Sequence, residues 1–276
     1  MGVCLIDRSN GWAVGGIDPR GGGGLIYRTT DGGASWNPIA RTPEILTSVT
    51  FVNKDTGWVA GYAGRIDRTD DGGQTWRSER PESGTEILNS IFFLNDHVGW
   101  AAGGSGLLLK TTNGGNSWEQ IPTGRVEDFW NIRLFSPDKG LIAGEDGLIL
   151  ATVDGGGHWE ARSSGTTEAL MGLAISPTGH AVVAGEHGTI LVSSDWRDWT
   201  KAVSGTNETL DTIASVGDNT FWSVGANGTM LESTDRGSSW KPVPPVSSGD
   251  LLTIALVDPS HGIAAGQRGC TQVLHD

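Results

Sequence analysis

The sequence is short of cysteine, of charge and of long apolar runs. Two cysteines in 276 residues cannot frame a disulfide-stapled fold, and Cys4 and Cys270 stand too far apart in sequence for a metal knuckle. Both are read as buried thiols, because a bond between strands of different rank in the repeat described below would be too long. Charged residues make up 18% of the chain, against about 25% in ordinary globular proteins. Acids outnumber bases 32 to 19, for a net charge of −13. A nucleic-acid binder needs cations to displace phosphate counterions, so DNA and RNA are excluded as main ligands. No apolar run approaches the roughly 18–20 residues of a membrane-crossing helix. The opening Met1-Gly-Val-Cys-Leu-Ile-Asp-Arg8 has no basic segment followed by an apolar one, and reads as carrying no export signal.

What the chain does have is glycine and tryptophan. Glycine, at 43 residues, is about twice its usual ~7% share. Twelve tryptophans argue against disorder, because a disordered chain lacks large apolar groups to bury. Their placement is periodic. Thr29-Thr-Asp-Gly-Gly-Ala-Ser-Trp36, Thr69-Asp-Asp-Gly-Gly-Gln-Thr-Trp76, Thr111-Thr-Asn-Gly-Gly-Asn-Ser-Trp118 and Thr152-Val-Asp-Gly-Gly-Gly-His-Trp159 superimpose. Ser233-Thr-Asp-Arg-Gly-Ser-Ser-Trp240 is a fifth copy, and the Ser193–Trp199 stretch a shortened sixth. The acid or amide position falls at Asp31, Asp71, Asn113, Asp154, Asp195 and Asp235, in steps of 40 to 42 residues. A second element of the type Gly57-Trp-Val-Ala-Gly61 recurs ahead of each box, in seven copies against six boxes. The seventh box would begin at Asp276, where the chain ends.

Each unit reads as four short strands. In 46–79, Leu46–Val52 is β-branched and apolar, Trp58–Gly61 is a second strand, Arg65–Arg68 a third and Thr75–Glu79 a fourth. A two-residue hairpin, Tyr62-Ala63, joins the second to the third, and the box is the next turn. No stretch keeps helical spacing of its apolar residues. A four-stranded unit repeated at this period is the signature of a propeller blade. The expectation is an all-β chain, one seven-bladed β-propeller domain over residues 1–276, with a seventh blade lacking its box and outer strand. In each box the acid is expected to accept main-chain N–H groups in an Asx-type turn. The box tryptophans Trp36, Trp76, Trp118, Trp159, Trp199 and Trp240 are expected to fill space between blades. Asn113 keeps the acceptor without the charge, which favours a structural role for the whole set.

The box, Ser/Thr-x-Asp-x-Gly-x-Ser/Thr-Trp, is the Asp box of neuraminidase repeats and sortilin-type receptors. The full pattern, Gly-Trp-Ala-Val-Gly ahead of Gly-x-Ile-x-x-Thr-x-Asp-Gly-Gly-x-x-Trp, resembles that of the photosystem II stability/assembly factor family over the whole chain. The resemblance implies a seven-bladed propeller exported to the periplasm or thylakoid lumen, assisting assembly of a membrane complex. It speaks strongly for fold and weakly for function, since the matching residues are those that build blades.

Chemistry beyond the repeat is sparse. A neuraminidase-like site needs a Tyr–Glu pair, and neither Tyr27 nor Tyr62 has a glutamate next to it in sequence. A glycanase needs two carboxylates about 5–10 Å apart across a cleft; Asp128, Asp211 and Asp250 lie near starts of inner strands, but the loops are short. The six histidines (97, 158, 180, 187, 261, 275) show no ligand spacing. No catalytic residue, metal or cofactor is therefore expected. The remaining signal is positional. Residues 1–138 hold 10 of the 14 arginines, and Arg41, Arg80, Arg125 and Arg162 fall in successive connections from outer to inner strand. Arg20 lies in the extended first hairpin, and Arg133 with Trp130 on an inner strand. Arginine's planar fork suits carboxylates and flat groups, so these seven residues are the expected contact set of a monomeric, non-catalytic scaffold for a protein partner such as a membrane-complex subunit. A carbohydrate-binding or glycoside-hydrolysing Asp-box propeller is the competing expectation.

Overall fold

The computed structural model describes residues 1–17, 21–80, 84–244, 248–267 and the strand at 271–274. The chain divides into two units, 1–129 and 130–276. The first holds three meandering antiparallel sheets. Sheet 1 is β1 (Gly2–Leu5), β2 (Gly11–Gly15), β3 (Gly24–Thr29) and β4 (Asn37–Thr42). Sheet 2 is β5 (Leu46–Phe51), β6 (Gly57–Gly61), β7 (Ile66–Thr69) and β8 (Arg77–Arg80). Sheet 3 is β9 (Leu88–Phe93), β10 (Gly99–Gly103), β11 (Leu108–Thr111) and β12 (Glu119–Gln120).

The second unit repeats the plan. Sheet 4 is β13 (Phe129–Leu134), β14 (Gly140–Gly144), β15 (Ile149–Thr152) and β16 (Glu160–Arg162). Sheet 5 is β17 (Leu170–Ile175), β18 (Ala181–Gly185), β19 (Ile190–Ser193) and β20 (Thr200–Ala202). Sheet 6 is β21 (Leu210–Val216), β22 (Thr220–Gly225), β23 (Met230–Ser233) and β24 (Lys241–Pro242). Sheet 7 has three strands, β25 (Leu251–Asp258), β26 (His261–Gly266) and β27 (Thr271–Leu274). The Cys4–Cys270 question reaches outside the described residues, as does His275.

Second strands are buried on both faces, which is why they read as continuous small and apolar runs rather than alternating ones. Alternation then shares each sheet between two cores. Val59 packs toward Trp12 and Ile26 of sheet 1, while Trp58 and Ala60 pack toward Leu88, Ile91 and Phe93 of sheet 3. In the second unit, sheets 4 and 5 meet around Leu141, Leu173 and Trp196, and sheets 5 and 6 around Val182, Phe221 and Leu231. Strand tryptophans bridge sheets. Trp12 stacks on Phe51 at 3.6 Å between centroids, and its indole N–H donates to the Gly72 carbonyl at 3.0 Å. Trp58 repeats both contacts one sheet on, with Phe93 at 3.5 Å and Gly114 at 2.9 Å. Arg28, Arg68 and Lys110 lie over Trp12, Trp58 and Trp100. These three cations thus cover tryptophan rings in the first unit.

The box is a closed hydrogen-bond ring. In sheet 2, the Thr69 hydroxyl donates to Asp71 at 2.8 Å and accepts the Gly73 N–H at 2.8 Å. Asp71 also accepts the N–H and the hydroxyl of Thr75, at 2.9 and 2.6 Å. The outer strand therefore begins at Arg77, two residues later than the sequence expectation. Asn113 accepts the Ser117 N–H at 3.0 Å and donates to the Ser117 hydroxyl at 2.9 Å. His158 substitutes its ring Nδ1 for a hydroxyl at 2.6 Å from Asp154. These bonds hold Asp31 and Asp71 at about 2, led in both by the hydroxyl of Ser35 or Thr75.

Candidate functional site

Each of sheets 1 to 6 has a box end and a hairpin end; Arg41, Arg65, Arg80, Arg125 and Arg162 lie toward the hairpin end, and Arg8, Arg28, Arg68, Arg77, Arg133, Arg197 and Arg236 toward the box end. The second-to-third hairpin is a three-residue turn, such as Tyr62–Gly64 or Gly104–Gly106, rather than a two-residue one. Its middle residue is left-handed: Ala63, Ser105, Asp146, His187 and Asn227 all have φ between 52 and 55°. The chain entering the sheet runs directly beside it. Tyr62 N–H donates to Ile45 at 2.9 Å and Gly104 N–H to Ile87 at 2.9 Å. The chain leaving the sheet runs there too, with Gly106 N–H donating to the Glu127 carbonyl at 3.0 Å. A Cβ on Gly106 would run into the carbonyl of Arg125, so glycine is what lets the turn approach the arginine-bearing connection.

The structure distributes the sequence-derived set unevenly. Arg20 lies outside the described residues. Arg41, Arg80 and Arg162 are not in connections but at or near the ends of outer strands, opposite Leu25, Ile66 and Ile149. Arg125 does lie in a connection, paired with Glu127 through Nε at 3.1 Å. Arg162 is paired with Glu160 at 2.9 Å. Arg41 is exposed. Arg80 is half-buried and donates Nη1 to the Gly64 carbonyl at 2.8 Å, with no carboxylate in ion-pair range among the described residues. Burial pulls its pKa down, only partly offset by Glu86. Arg133 does not join this group. It is the fifth residue of β13, so at about 3.3 Å per residue it sits some ~13 Å from the hairpin end, and it donates to the Ile132 carbonyl at 2.8 Å. Trp130 is near the hairpin end, half-buried, with its indole N–H unbonded among the described residues.

Sequence reasoning missed Arg65. It follows the sheet 2 turn and donates Nε to Asp67 at 2.9 Å. The missed signal was a break in the repeat. At four and two residues before the box hydroxyl, sheets 3 and 4 carry Leu107 and Leu109, and Leu148 and Leu150; sheet 2 carries Arg65 and Asp67. A second missed pattern is a glutamate in five successive connections, Glu44, Glu86, Glu127, Glu168 and Glu208. Two of them tie connection to turn: Glu168 contacts His187 Nδ1 at 2.7 Å, and Glu208 accepts from the Asn227 amide at 2.8 Å.

The acids weighed as hydrolytic candidates have local duties. Asp128 accepts the Ser105 N–H at 2.7 Å and Asp250 the Asn227 N–H at 2.9 Å. Burial, and then the like charge of Asp250, push the Asp211 carboxyl up to about 6. Glu168, Glu186 and His187 bring one ligand atom each within 4.8 Å of one another, so the three could share a divalent ion. Glu168 hydrogen-bonds His187 and raises its pKa, while Glu186 accepts the Ala169 N–H at 3.3 Å.

Seven meandering sheets, six of them with a hydrogen-bonded box between third and fourth strands, define the class: a β-propeller of the Asp-box type. Residues 39–127 match the family model described as photosynthesis system II assembly factor YCF48, and the chain is similar to that family in fold as well as in motif. A solved structure described as YCF48 bound to D1 peptide superimposes with a TM-score of 0.80 at 22% identity, over 100% of this chain and 93% of that one. YCF48 from Cyanidioschyzon merolae gives 0.76 at 19% identity, over 99% and 94%. The WD40 β-propeller domain of Doa1 gives 0.80 at 16%, over 100% and 92%. At these identities the likeness is one of fold. No curated protein matches the chain in sequence. Among the described residues no helix is long and apolar enough to cross a membrane.

Proposed function

We propose that the chain is a non-catalytic, monomeric scaffold that holds a segment of a protein partner at the hairpin end of its first unit, through Arg41, Arg80 and Arg125. The likeness to a YCF48 bound to D1 peptide supports a membrane-complex subunit as that partner and assembly as the setting. Arg80 carries the reading. A half-buried guanidinium with one carbonyl and, among the described residues, no carboxylate in ion-pair range is an incomplete arrangement, because burying a charge is costly unless it is paired. An acidic or C-terminal segment of a partner would complete it.

The test is capture of a partner from host membrane extract by the parent chain and by an Arg41→Glu/Arg80→Glu/Arg125→Glu variant, with thermal melts in parallel. A partner retained by the parent and lost by an equally stable variant is the expected result. Equal capture by both, or turnover of fluorogenic glycosides by the parent, would overturn it.

A further inference from the structure

Sheet 5 carries two metal-ligating side chains in its turn, Glu186–Gly188, and a third reaches them from the chain entering the sheet. Glu186 N–H donates to the Ala169 carbonyl at 3.0 Å, which sets Glu168 beside the turn. There the Glu168 carboxylate meets His187 Nδ1 at 2.7 Å, and Glu186 offers a carboxylate oxygen within 4.8 Å of both. His97, His158 and His261 meet one carboxylate each, from Asp96, Asp154 and Asp258. Among the described residues, His187 is the histidine that stands with two.

The turn itself does not need these groups. Sheet 6 puts Ala226 and Asn227 at the places of Glu186 and His187, and Asn227 bonds the connection glutamate, Glu208, at 2.8 Å. An alanine and a neutral amide therefore close the same structure. In sheet 5 a second carboxylate is brought up to the first, although like charges at close range repel.

A sealed hydroxyl supplies a separate observation. Thr189 directly follows the turn, is 0% exposed, and its Oγ1 has no hydrogen bond among the described residues. It shares a face with Leu191, two residues on, which packs toward sheet 4. The connection bearing Glu168 arrives from sheet 4, so the hydroxyl points into the angle between that connection and the turn. A buried hydroxyl without a partner is costly, and a carboxylate drawn in to an ion would give it an acceptor.

We propose that Glu168, Glu186 and His187 form a divalent-metal site of the zinc type, with the Thr189 hydroxyl positioning a ligating carboxylate. One imidazole with two carboxylates suits zinc better than calcium or magnesium, which take oxygen ligands throughout. Ligands about 2.0–2.2 Å from zinc stand roughly 3.4 Å apart. Glu186 must therefore draw in, and Glu168 and His187 ease apart from 2.7 Å. Both are side-chain movements of half-buried and exposed groups. The ion would tie connection to turn, as the Glu208–Asn227 bond does one sheet on. The site lies in the second unit and does not depend on the partner reading.

The test is calorimetric titration of the whole chain with zinc chloride, with magnesium and calcium chloride for comparison and thermal melts in parallel. A single saturable zinc equivalent that raises the melting temperature is expected. His187→Asn, which installs the residue of sheet 6, should leave the metal-free melt unchanged and weaken zinc at least about tenfold, the lower end of what losing even a supporting group costs. Glu186→Ala, also copied from sheet 6, should do the same. Thr189→Val keeps the shape; it should weaken zinc while raising the metal-free melting temperature. His158→Ser, which restores a box hydroxyl, should bind zinc as the parent does. No zinc equivalent, tighter binding of magnesium or calcium than of zinc, or an equivalent that survives His187→Asn or is lost with His158→Ser would overturn the site. Parent-like zinc binding by Thr189→Val would overturn the part given to the hydroxyl.

Discussion

Removing Arg65 alone should be the most damaging change at sheet 2, more so than removing the acid it serves. Arg65→Leu strips the partner from a carboxylate that is 2% exposed and whose second oxygen is already unbonded. Breaking a buried pair in this way typically costs about 3–5 kcal/mol. Asp67→Leu leaves a guanidinium that is 15% exposed and can turn toward water, so its loss should be about 1 kcal/mol, that of a single hydrogen bond. The double variant should return to the parent's stability or exceed it, since apolar replacement of buried pairs is often neutral or stabilising by about 1–4 kcal/mol. The pH dependence follows from burial, which pushes the Asp67 carboxyl above its ordinary value. A carboxyl raised on folding favours the native state most when protonated, and that advantage is lost as pH rises through the folded value. Without Arg65 the value rises further, so the Arg65→Leu deficit should be largest at neutral pH and shrink toward pH ~4. Urea midpoints followed by tryptophan fluorescence at both pH values read this directly. Equal midpoints for the two single variants, or a deficit that does not shrink in acid, would refute the reasoning.

Three further outcomes are expected. Trp58→Ala, which removes a fully buried ring stacked on Phe93 and bonded to Gly114, should cost about 3–5 kcal/mol, read as a urea midpoint. Asp31 and Asp71, held at about 2 in the folded chain, contribute stability that is present above the unfolded value near ~4 and lost as pH falls toward 2. The melting temperature should drop through that window, and less steeply in Asp71→Asn, which copies the Asn113 box; an unchanged slope would remove the box carboxylates from the acid transition. Ala63 holds φ 54° without glycine's freedom or a polar side chain, a conformation costing roughly 1–2 kcal/mol for most residues. Ala63→Asn, the residue sheet 6 uses at Asn227, should raise the melting temperature.

The fold was legible because its determinants are local and repeated. A box needs a hydroxyl, an acid or amide and glycines at fixed offsets, and these can be counted along the chain. Where the sequence misled, distance along a strand was the reason. Arg133 aligns with the inner strand as expected, but its place as the fifth residue of β13 takes it away from the hairpin end. The Tyr62–Gly64 turn gained a residue because Ala63 accepts a left-handed backbone, which no residue type at that position announced. Pairing was legible only in part: Arg125 with Glu127 and Arg162 with Glu160 pair two residues apart in sequence, whereas no pattern along the chain announces that Arg80 bonds the Gly64 carbonyl.

A repeat is its own control, and here it separates charge that builds from charge that is left over. Glutamate recurs at one position in five connections, and where its side chain makes a bond it reaches a group in its own connection or in the adjoining turn: Arg125 for Glu127, His187 for Glu168, Asn227 for Glu208. A residue present in nearly every copy and satisfied nearby is doing what the copy needs. At the outer-strand position of Arg80 and Arg162, by contrast, sheets 1, 3, 5 and 6 carry Ala40, Ile121, Ala202 and Val243. The blade closes equally well with an apolar group there, so the cation is not required by the fold. Arg65 and Asp67 are the extreme case, two charges at positions where the other sheets carry Leu or Thr and Leu or Tyr, one of them buried and incompletely bonded. Among the described residues, sheet 2 combines this departure from the repeat with a half-buried arginine, Arg80, that has no carboxylate in ion-pair range.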